Sequence, residues 1–580
     1  MEAQYPYQDA GLSVHQRVED LLSRMPLADK VGLMFHTIAV PADVDAVVPL
    51  FGERSLRSLV DKGLRHFNVL GSLPDGRSFA QWHNSVQSAA LRHPLGIPVT
   101  FSSDPRHHFG DNPLTQMMAG PFSLWPEPLG LAAIGSADRV REFADIVRQE
   151  YLAVGIRVAL HPQLDVATEP RWSRINTTFG EDAELTSRLG VAYVDGLQGA
   201  RLGADSVAAM VKHFPGGGPQ LDGNDPHFGW GREQVYPGDN AAYHLRPFRA
   251  ALDAGAAEVM PYYGMPVGTD WDEVGFGFNK SVITGLLRDE LGFDGIVCTD
   301  WGLVSDHPDL GDLGVARAWG VEHLGPADRA LRVIEAGADQ FGGEDCTEVL
   351  LGLVRDGRVS ESRIDESVRR LLRVTFTLGL FEHPFVDEEA ASITLGRSDF
   401  RDAGLAAQRD SLTLLTNTGL LPLARGAKVF APQISAAALE GHATRVDDPA
   451  AADVAVLRIK APYEPRTEGM AALFHHGSLE FAAEEVRRIL EVCAAVPTVI
   501  DVYLDRPAVL TPLAGAAAAL IANFGVSERA LIAVLFGAAE PRGTLPFDLP
   551  RSDAAVAASR TDVAFDTADP LFRFGHGLRY

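Results

Sequence analysis

The chain of 580 residues is 46% apolar, and its 77 acids outnumber 51 bases for a net charge of −26. That length exceeds what one core usually supports, so two domains are expected, one of them large enough for a barrel of roughly 250 residues or more. The acidic balance argues against a polyanionic partner such as nucleic acid and for a ligand that is neutral or cationic overall.

The start, Met1-Glu2-Ala3-Gln4-Tyr5-Pro6-Tyr7, has no basic region followed by an apolar core, so a cytoplasmic location is expected. Val31 to Thr37 fits a strand or a helix end equally well. Short apolar runs then recur at His66–Leu70, Ile97–Phe101, Ile156–Leu160, Val207–Val211, Glu258–Tyr263, Gly295–Asp300 and Gly337–Phe341, with segments of helical periodicity between them. Alternation of that kind over more than half the chain predicts a parallel sheet, and so many units favour a (β/α) barrel over an open sheet. Ser360 is placed to cap a helix whose apolar stripe is Ile364, Val368, Leu371 and Leu372. From Gly379 to Phe400 the periodicity is lost around Pro384 and several acids. The expected division is therefore a barrel over residues 1–385, a linker over 386–402 and a second α/β unit over 403–580. Its strands are expected at Val429–Ala431, Val454–Ile459, Val499–Leu504 and Ala519–Ile521. No run of about 18 apolar residues suggests a membrane span, and Cys298, Cys346 and Cys493 are too scattered for a disulfide framework or a zinc cluster.

Ligands in α/β folds gather at the carboxyl ends of the strands. There the sequence offers Asp104, then Lys212 and His213, then Tyr263, then Asp300 with Trp301. Acids, bases and aromatics on one face suit a polyhydroxylated ligand, because charged groups bond hydroxyls while aromatic rings pack against C–H faces. Taken alone, each is as readily a satisfied core or rim residue, and Asp300 could simply cap a helix. Pro215-Gly216-Gly217-Gly218 lacks the Gly-Lys-Ser/Thr ending of a nucleotide loop. Asp222, Asp225, His227 and Glu233 follow on a long loop with the character of a lid or rim, and solvated acids there are a simpler reading than a metal site.

The ordered set Leu164-Asp165-Val166, Pro170-Arg171-Trp172-Ser173-Arg174, Phe179-Gly180-Glu181-Asp182, Lys212-His213-Phe214, Cys298-Thr299-Asp300-Trp301, Gly543-Thr544-Leu545-Pro546 and Phe574-Gly575-His576-Gly577-Leu578-Arg579-Tyr580 resembles glycoside hydrolase family 3, the β-glucosidase and β-xylosidase family, over nearly the whole chain. The resemblance implies an α/β protein, an amino-terminal (β/α)8 barrel of the TIM type followed by an α/β sandwich that contributes to the active site. It implies exo-acting hydrolysis of terminal β-glycosyl residues with retention, most simply as a β-glucosidase, with Asp300 as nucleophile. Asp104, Arg174, Lys212, His213, Tyr263 and Trp301 would hold the sugar, while Arg171 supports its loop.

Retention needs an attacking carboxylate and a separate proton donor, and Lys212 and Arg174 nearby would keep Asp300 ionised. In two-domain members the donor is a glutamate from the second domain, a context resembled by Ala461-Pro462-Tyr463-Glu464, so Glu464 is the expected acid/base, with Glu468 and Glu480 as neighbouring competitors. The N-acetylglucosaminidase branch uses a histidine backed by an aspartate instead, and Asp225-Pro226-His227 leaves His227 as the alternative acid. The expected partner is a small β-glycoside or oligosaccharide, with no cofactor, metal, nucleic acid or membrane, and with a homodimer left open. The competing functions are a β-xylosidase, an N-acetyl-β-hexosaminidase or glycoside phosphorylase, and a catalytically silent sugar-binding protein.

Overall fold

The computed structural model describes residues 5–49, 53–110, 112–308, 311, 314–467 and 469–580. The apolar runs form eight parallel strands: Phe35–Ala39 (β1), His66–Val69 (β2), Thr100–Ser103 (β3), Ile156–Ala159 (β4), Ala208–Phe214 (β5), Glu258–Pro261 (β6), Ile296–Val297 (β7) and Phe341–Gly342 (β8). Each pairs with the next, β8 pairs with β1, and a parallel bridge between Cys298 and Gln340 joins β7 to β8, so the sheet closes into a barrel. Val31 to Thr37, ambiguous in sequence, divides between the end of helix Leu27–Leu33 and the start of β1. Ile97–Phe101 yields a strand displaced toward its carboxyl end, since Gln87 rather than a ladder partner binds the Val99 backbone on both its N–H and its carbonyl.

Polar residues at helix starts act as caps, accepting from otherwise orphaned backbone N–H groups. Asp75 receives Ser78 N at 2.8 Å, Asp182 receives Leu185 N at 2.7 Å, and Ser360 receives Arg363 N at 3.2 Å. The expected linker is corrected here. Residues 386–402 carry helix Glu388–Thr394, packed on helix Gly76–Ala90, and the opening of helix Ser398–Ser411, within which Ala403 falls. The acids that give this stretch its loop-like character are a cap, Asp387, and a first turn, Glu388 and Glu389.

The second sheet contains Thr413–Asn417 (β9), Lys428–Phe430 (β10), Thr444–Val446 (β11), Val454–Lys460 (β12), Thr498–Tyr503 (β13) and Ala519–Asn523 (β14), in the order β9-β14-β13-β12-β10-β11, with only β9 antiparallel to its neighbour. Its two faces alternate residue by residue, as the strand period requires. Leu457, Ile500, Val502, Leu520 and Ala522 join the core shared with the barrel, while Val456, Val499, Ala519 and Ile521 join a separate core on the outer face.

Several of the recurring motifs dock the two halves. A Cβ at Gly180, whose φ is +93°, would meet the Pro546 carbonyl oxygen at 2.1 Å. The buried Glu181 carboxylate accepts from Asp548 N at 3.0 Å and Phe565 N at 2.6 Å, both from the second domain. Thr544 N donates to Ala133 O of the barrel at 3.0 Å, and the terminal Gly575-His576 backbone pairs with Leu545. Among the described residues no helix is long and apolar enough to cross a membrane.

Candidate active site

Asp104 follows β3, Lys212 and His213 lie at the end of β5, Tyr263 follows β6, and Asp300 and Trp301 follow β7. All line one cavity of ≈ 290 Å3, joined there by Asn68, Arg174, His227, Arg317 and Met470. The structure thus gathers Asp300 and all six expected sugar-binding residues in one place.

Their geometry is held by ion pairs and amide bonds. Lys212 Nζ donates to Asp104 Oδ1 at 2.8 Å, and Asn68 Nδ2 to Asp104 Oδ2 at 3.0 Å. Arg174 reaches His213 Nε2 at 3.2 Å and donates to Gln163 Oε1 at 3.0 Å. The other nitrogen of His213 is 2.8 Å from Asp165 Oδ2, and Asp165 also accepts from Gly217 N at 2.6 Å. This is the use of the glycine run: Gly217 turns its N–H onto Asp165, and a Cβ at Gly218 would meet Val166 O at 1.8 Å. Burial, reinforced by the Arg174 and Lys212 charges, pushes His213 well below the usual histidine range, and burial raises Asp165 to about 6.

Asp300 is 7% exposed, with Oδ1 accepting from Trp301 N at 2.8 Å and Oδ2 lacking a hydrogen-bond partner among the described residues. Burial raises its carboxyl above the ordinary value, and the charges of His227, Arg174 and Lys212 oppose that rise in that order. His213 Nε2 lies 3.9 Å from Asp300 Oδ2. Trp301 rests on Gly342 and Gly343, where added Cβ atoms would meet its ring at 2.8 and 2.7 Å, and Tyr263 Oη bonds the Trp301 backbone at 2.9 Å.

The expected acid/base does not reach this cavity. Glu464 is exposed. Its carboxylate turns toward the backbone of the 477–478 turn, accepting from Ser478 N at 3.4 Å, while its own N–H is fixed to His476 O at 2.9 Å. Glu480 is also exposed and accepts from Asp553 N at 3.2 Å, while Glu468 lies outside the described residues. His227, in contrast, lines the cavity at 5% exposure, its Nδ1 2.6 Å from Asp225 Oδ1. Asp225 is buried and its second oxygen accepts from Trp172 Nε1 at 3.1 Å. Despite burial, the His227 charge and hydrogen bond carry the Asp225 carboxyl below its ordinary value.

Asn68, Gln163, Asp165 and Asp225 are the orienting residues that sequence reasoning left without a role. Asn68 had a signal as the one amide inside the run His66–Leu70, Asp165 as an acid beyond the run Ile156–Leu160, and Asp225 as the acid two residues before His227. Arg171 supports its loop as expected, bonding Glu169 at 2.8 and 3.0 Å. Among the described residues no group of three or more His, Cys, Asp or Glu is arranged to hold a metal ion.

Residues 63–374 match the Glycosyl hydrolase family 3 N terminal domain and residues 432–580 the Glycosyl hydrolase family 3 C-terminal domain. The chain belongs to glycosyl hydrolase family 3. It is 49% identical to Beta-glucosidase C of Emericella nidulans, covering 99% of this chain and 94% of that protein. It is 40% identical to the Periplasmic beta-glucosidase/beta-xylosidase of Dickeya chrysanthemi, covering 99% and 91%. Among solved structures, the beta-glucosidase from Listeria innocua in complex with glucose superposes with a TM-score of 0.78 at 25% identity, over 98% of this chain and 83% of that one. Within the family's two-domain frame, the barrel carries the nucleophile candidate and the residues expected to bind sugar, and the second domain adds Met470 to the pocket wall.

Proposed function

We propose that this chain is an exo-acting β-glucosidase that removes a terminal β-glucosyl residue with retention, using Asp300 as nucleophile and His227, backed by Asp225, as acid/base. The observation that carries the reading is a ≈ 290 Å3 pocket that surrounds one strand-end carboxylate with fixed polar partners, a size and lining suited to a single sugar ring. The names of the Emericella and Dickeya relatives support the substrate class.

In the first step an Asp300 oxygen bonds the anomeric carbon, the bond to the leaving oxygen breaks, and protonated His227 gives that oxygen its proton. In the second, neutral His227 takes a proton from water, the hydroxyl displaces Asp300, and the carboxylate returns. Arg174, Lys212 and the His227 cation favour the ionised Asp300 that the first step requires, against the burial that raises it. Asp104, tied to Lys212 and Asn68, is a fixed acceptor for sugar hydroxyls, and the Trp301 ring is a wall for their C–H face.

Turnover of matched aryl β-glucoside, β-xyloside and N-acetyl-β-glucosaminide tests the substrate. The glucoside should lead, and a faster N-acetylglucosaminide would overturn the reading. A 2-deoxy-2-fluoroglucoside should leave a covalent sugar on the peptide containing Asp300; trapping elsewhere removes the assignment. Location belongs to the same proposal: the cytoplasmic expectation is set against a Dickeya relative named as periplasmic, and cell fractionation decides it.

A further inference from the structure

A second cavity, ≈ 530 Å3, lies between the two domains and shares Arg174 with the first. It opens at the carboxyl ends of β12, β13 and β14, where Lys460, Tyr503 and Asn523 line it, and is closed on the barrel side by Phe109, Gly110, Asn112, Thr115 and Gln116 and by residues 173–176. Open parallel sheets bind ligands at that end of their strands. The wall between the cavities is thin. Leu114 and Met470 face the pocket of Asp300, their chain neighbours Gln116 and Leu473 face the larger cavity, and Asn112 Nδ2 donates to Leu473 O at 3.2 Å across the joint.

Two ionic pairs lie within the lining of the larger cavity, and Arg174 and Lys460 line it as further cations. Arg458 Nε donates to Asp501 at 2.8 Å, Asn523 Nδ2 to the other Asp501 oxygen at 2.7 Å, and His475 pairs with Asp505. Amides and hydroxyls make up much of the remaining lining. Gln116 Oε1, Ser173 Oγ, Arg174 Nε and Asp505 Oδ1, all on lining residues, have no hydrogen-bond partner among the described residues, and Gln116 is 1% exposed. Tyr463 stacks on the lining residue His475 with centroids 3.8 Å apart and is itself 41% exposed. The amides and hydroxyls of the lining, with the Arg174 and Lys460 donors, offer the hydrogen bonds that saccharide hydroxyls take.

We propose that this interdomain cavity is a second, non-catalytic site for a neutral disaccharide, in contact with the active pocket through Arg174. Its existence does not depend on the role given to Asp300. Titration calorimetry of the full-length Asp300→Asn protein with cellobiose, up to about 20 mM to cover millimolar dissociation constants, counts the sites. Two equivalents per chain are expected. Gln433→Trp, which fills the cavity from the second domain, and separately Gln116→Leu should each weaken one equivalent at least tenfold, with the other unchanged. Lys212→Met should remove only the equivalent in the pocket of Asp300. A single equivalent indifferent to Gln433→Trp and Gln116→Leu overturns the proposal. Absence of the Lys212-dependent equivalent from the Asp300→Asn protein itself, with the Gln433-dependent one present, would count against the functional reading and leave the second site standing.

Discussion

The pocket is built in two ways, and the difference decides which of its residues can be assigned with ease. Asp104, Lys212, His213 and Asp300 leave the ends of barrel strands, where the closed sheet fixes both direction and depth. His227 and Met470 come from long loops held by contacts between distant parts of the chain. His227 packs on Tyr263 and Phe474, and Phe228, Ala471 and Phe474 form a small core joining the two loops. Arg466 adds a cation over the Trp230 ring, 3.5 Å from its centroid. A strand end carries its side chain to the site whatever the loops do, but a loop residue arrives only if these remote contacts form.

The sharpest break in that comparison is Asp300→Asn. Loss of the attacking carboxylate should lower kcat by about 10³-fold or more, measured on an aryl β-glucoside. The same substitution should stabilise the fold at pH 7. Burial has raised the folded-state carboxyl above its unfolded value, so ionisation at neutral pH costs the native state more than the unfolded one. A neutral amide removes that cost, and the gain in Tm should fade as pH drops toward about 4, where the unfolded carboxyl is protonated too. A lower Tm at pH 7 would mean that the partners Arg174 and Lys212 outweigh burial. The raised carboxyl also sets the acid limb of kcat/KM above the ordinary aspartate value, and Asp300→Asn should leave too little rate to show that limb.

On the loop side, His227→Ala should cost about 10²–10⁴-fold on glucosides with poor leaving groups and far less on a dinitrophenyl glucoside, which needs no proton. Azide should restore part of the rate on the activated substrate as a glucosyl azide. Equal losses on both substrates would reduce His227 to a structural role.

The same division explains what could be read before the structure. Repeated apolar runs located seven of the eight barrel strands, because strands buried on both faces are continuous in sequence. β1 was ambiguous because helix Leu27–Leu33 runs almost directly into it, and β9 was missed because only Leu412 separates it from helix Ser398–Ser411. β11 was missed for the opposite reason: Thr444 and Arg445 are exposed, so the strand carries almost no apolar pattern. At the site, Asp104, Lys212, His213, Tyr263, Asp300 and Trp301 were legible at strand ends, while Asn68 on β2 was not. Glu464, expected as proton donor from a familiar sequence context, turns its carboxylate onto the 477–478 turn. The proposed donor, His227, depends on Trp172 and Asp225 meeting across 53 positions.

Asp225→Asn probes that long-range support. The amide keeps the size of the side chain but cannot hold a protonated His227 as strongly, so kcat should fall about 10- to 100-fold on poor leaving groups with KM little changed. A rise in KM alone would make Asp225 a loop anchor and no more.

The smallest effect expected is that of Glu464→Ala. Its carboxylate is exposed and its nearest acceptor contact is the 3.4 Å bond from Ser478 N, so removal should change stability by less than about 0.5 kcal/mol and kcat/KM by less than about threefold. The substitution is the complement of His227→Ala, since only one of the two can carry the proton. If Glu464→Ala lost about 10²-fold or more on poor leaving groups and azide restored it, the 464–478 loop would have to swing its carboxylate into the pocket during turnover. His227 would then bind sugar, and the loop-borne half of the site would be complete only with substrate present.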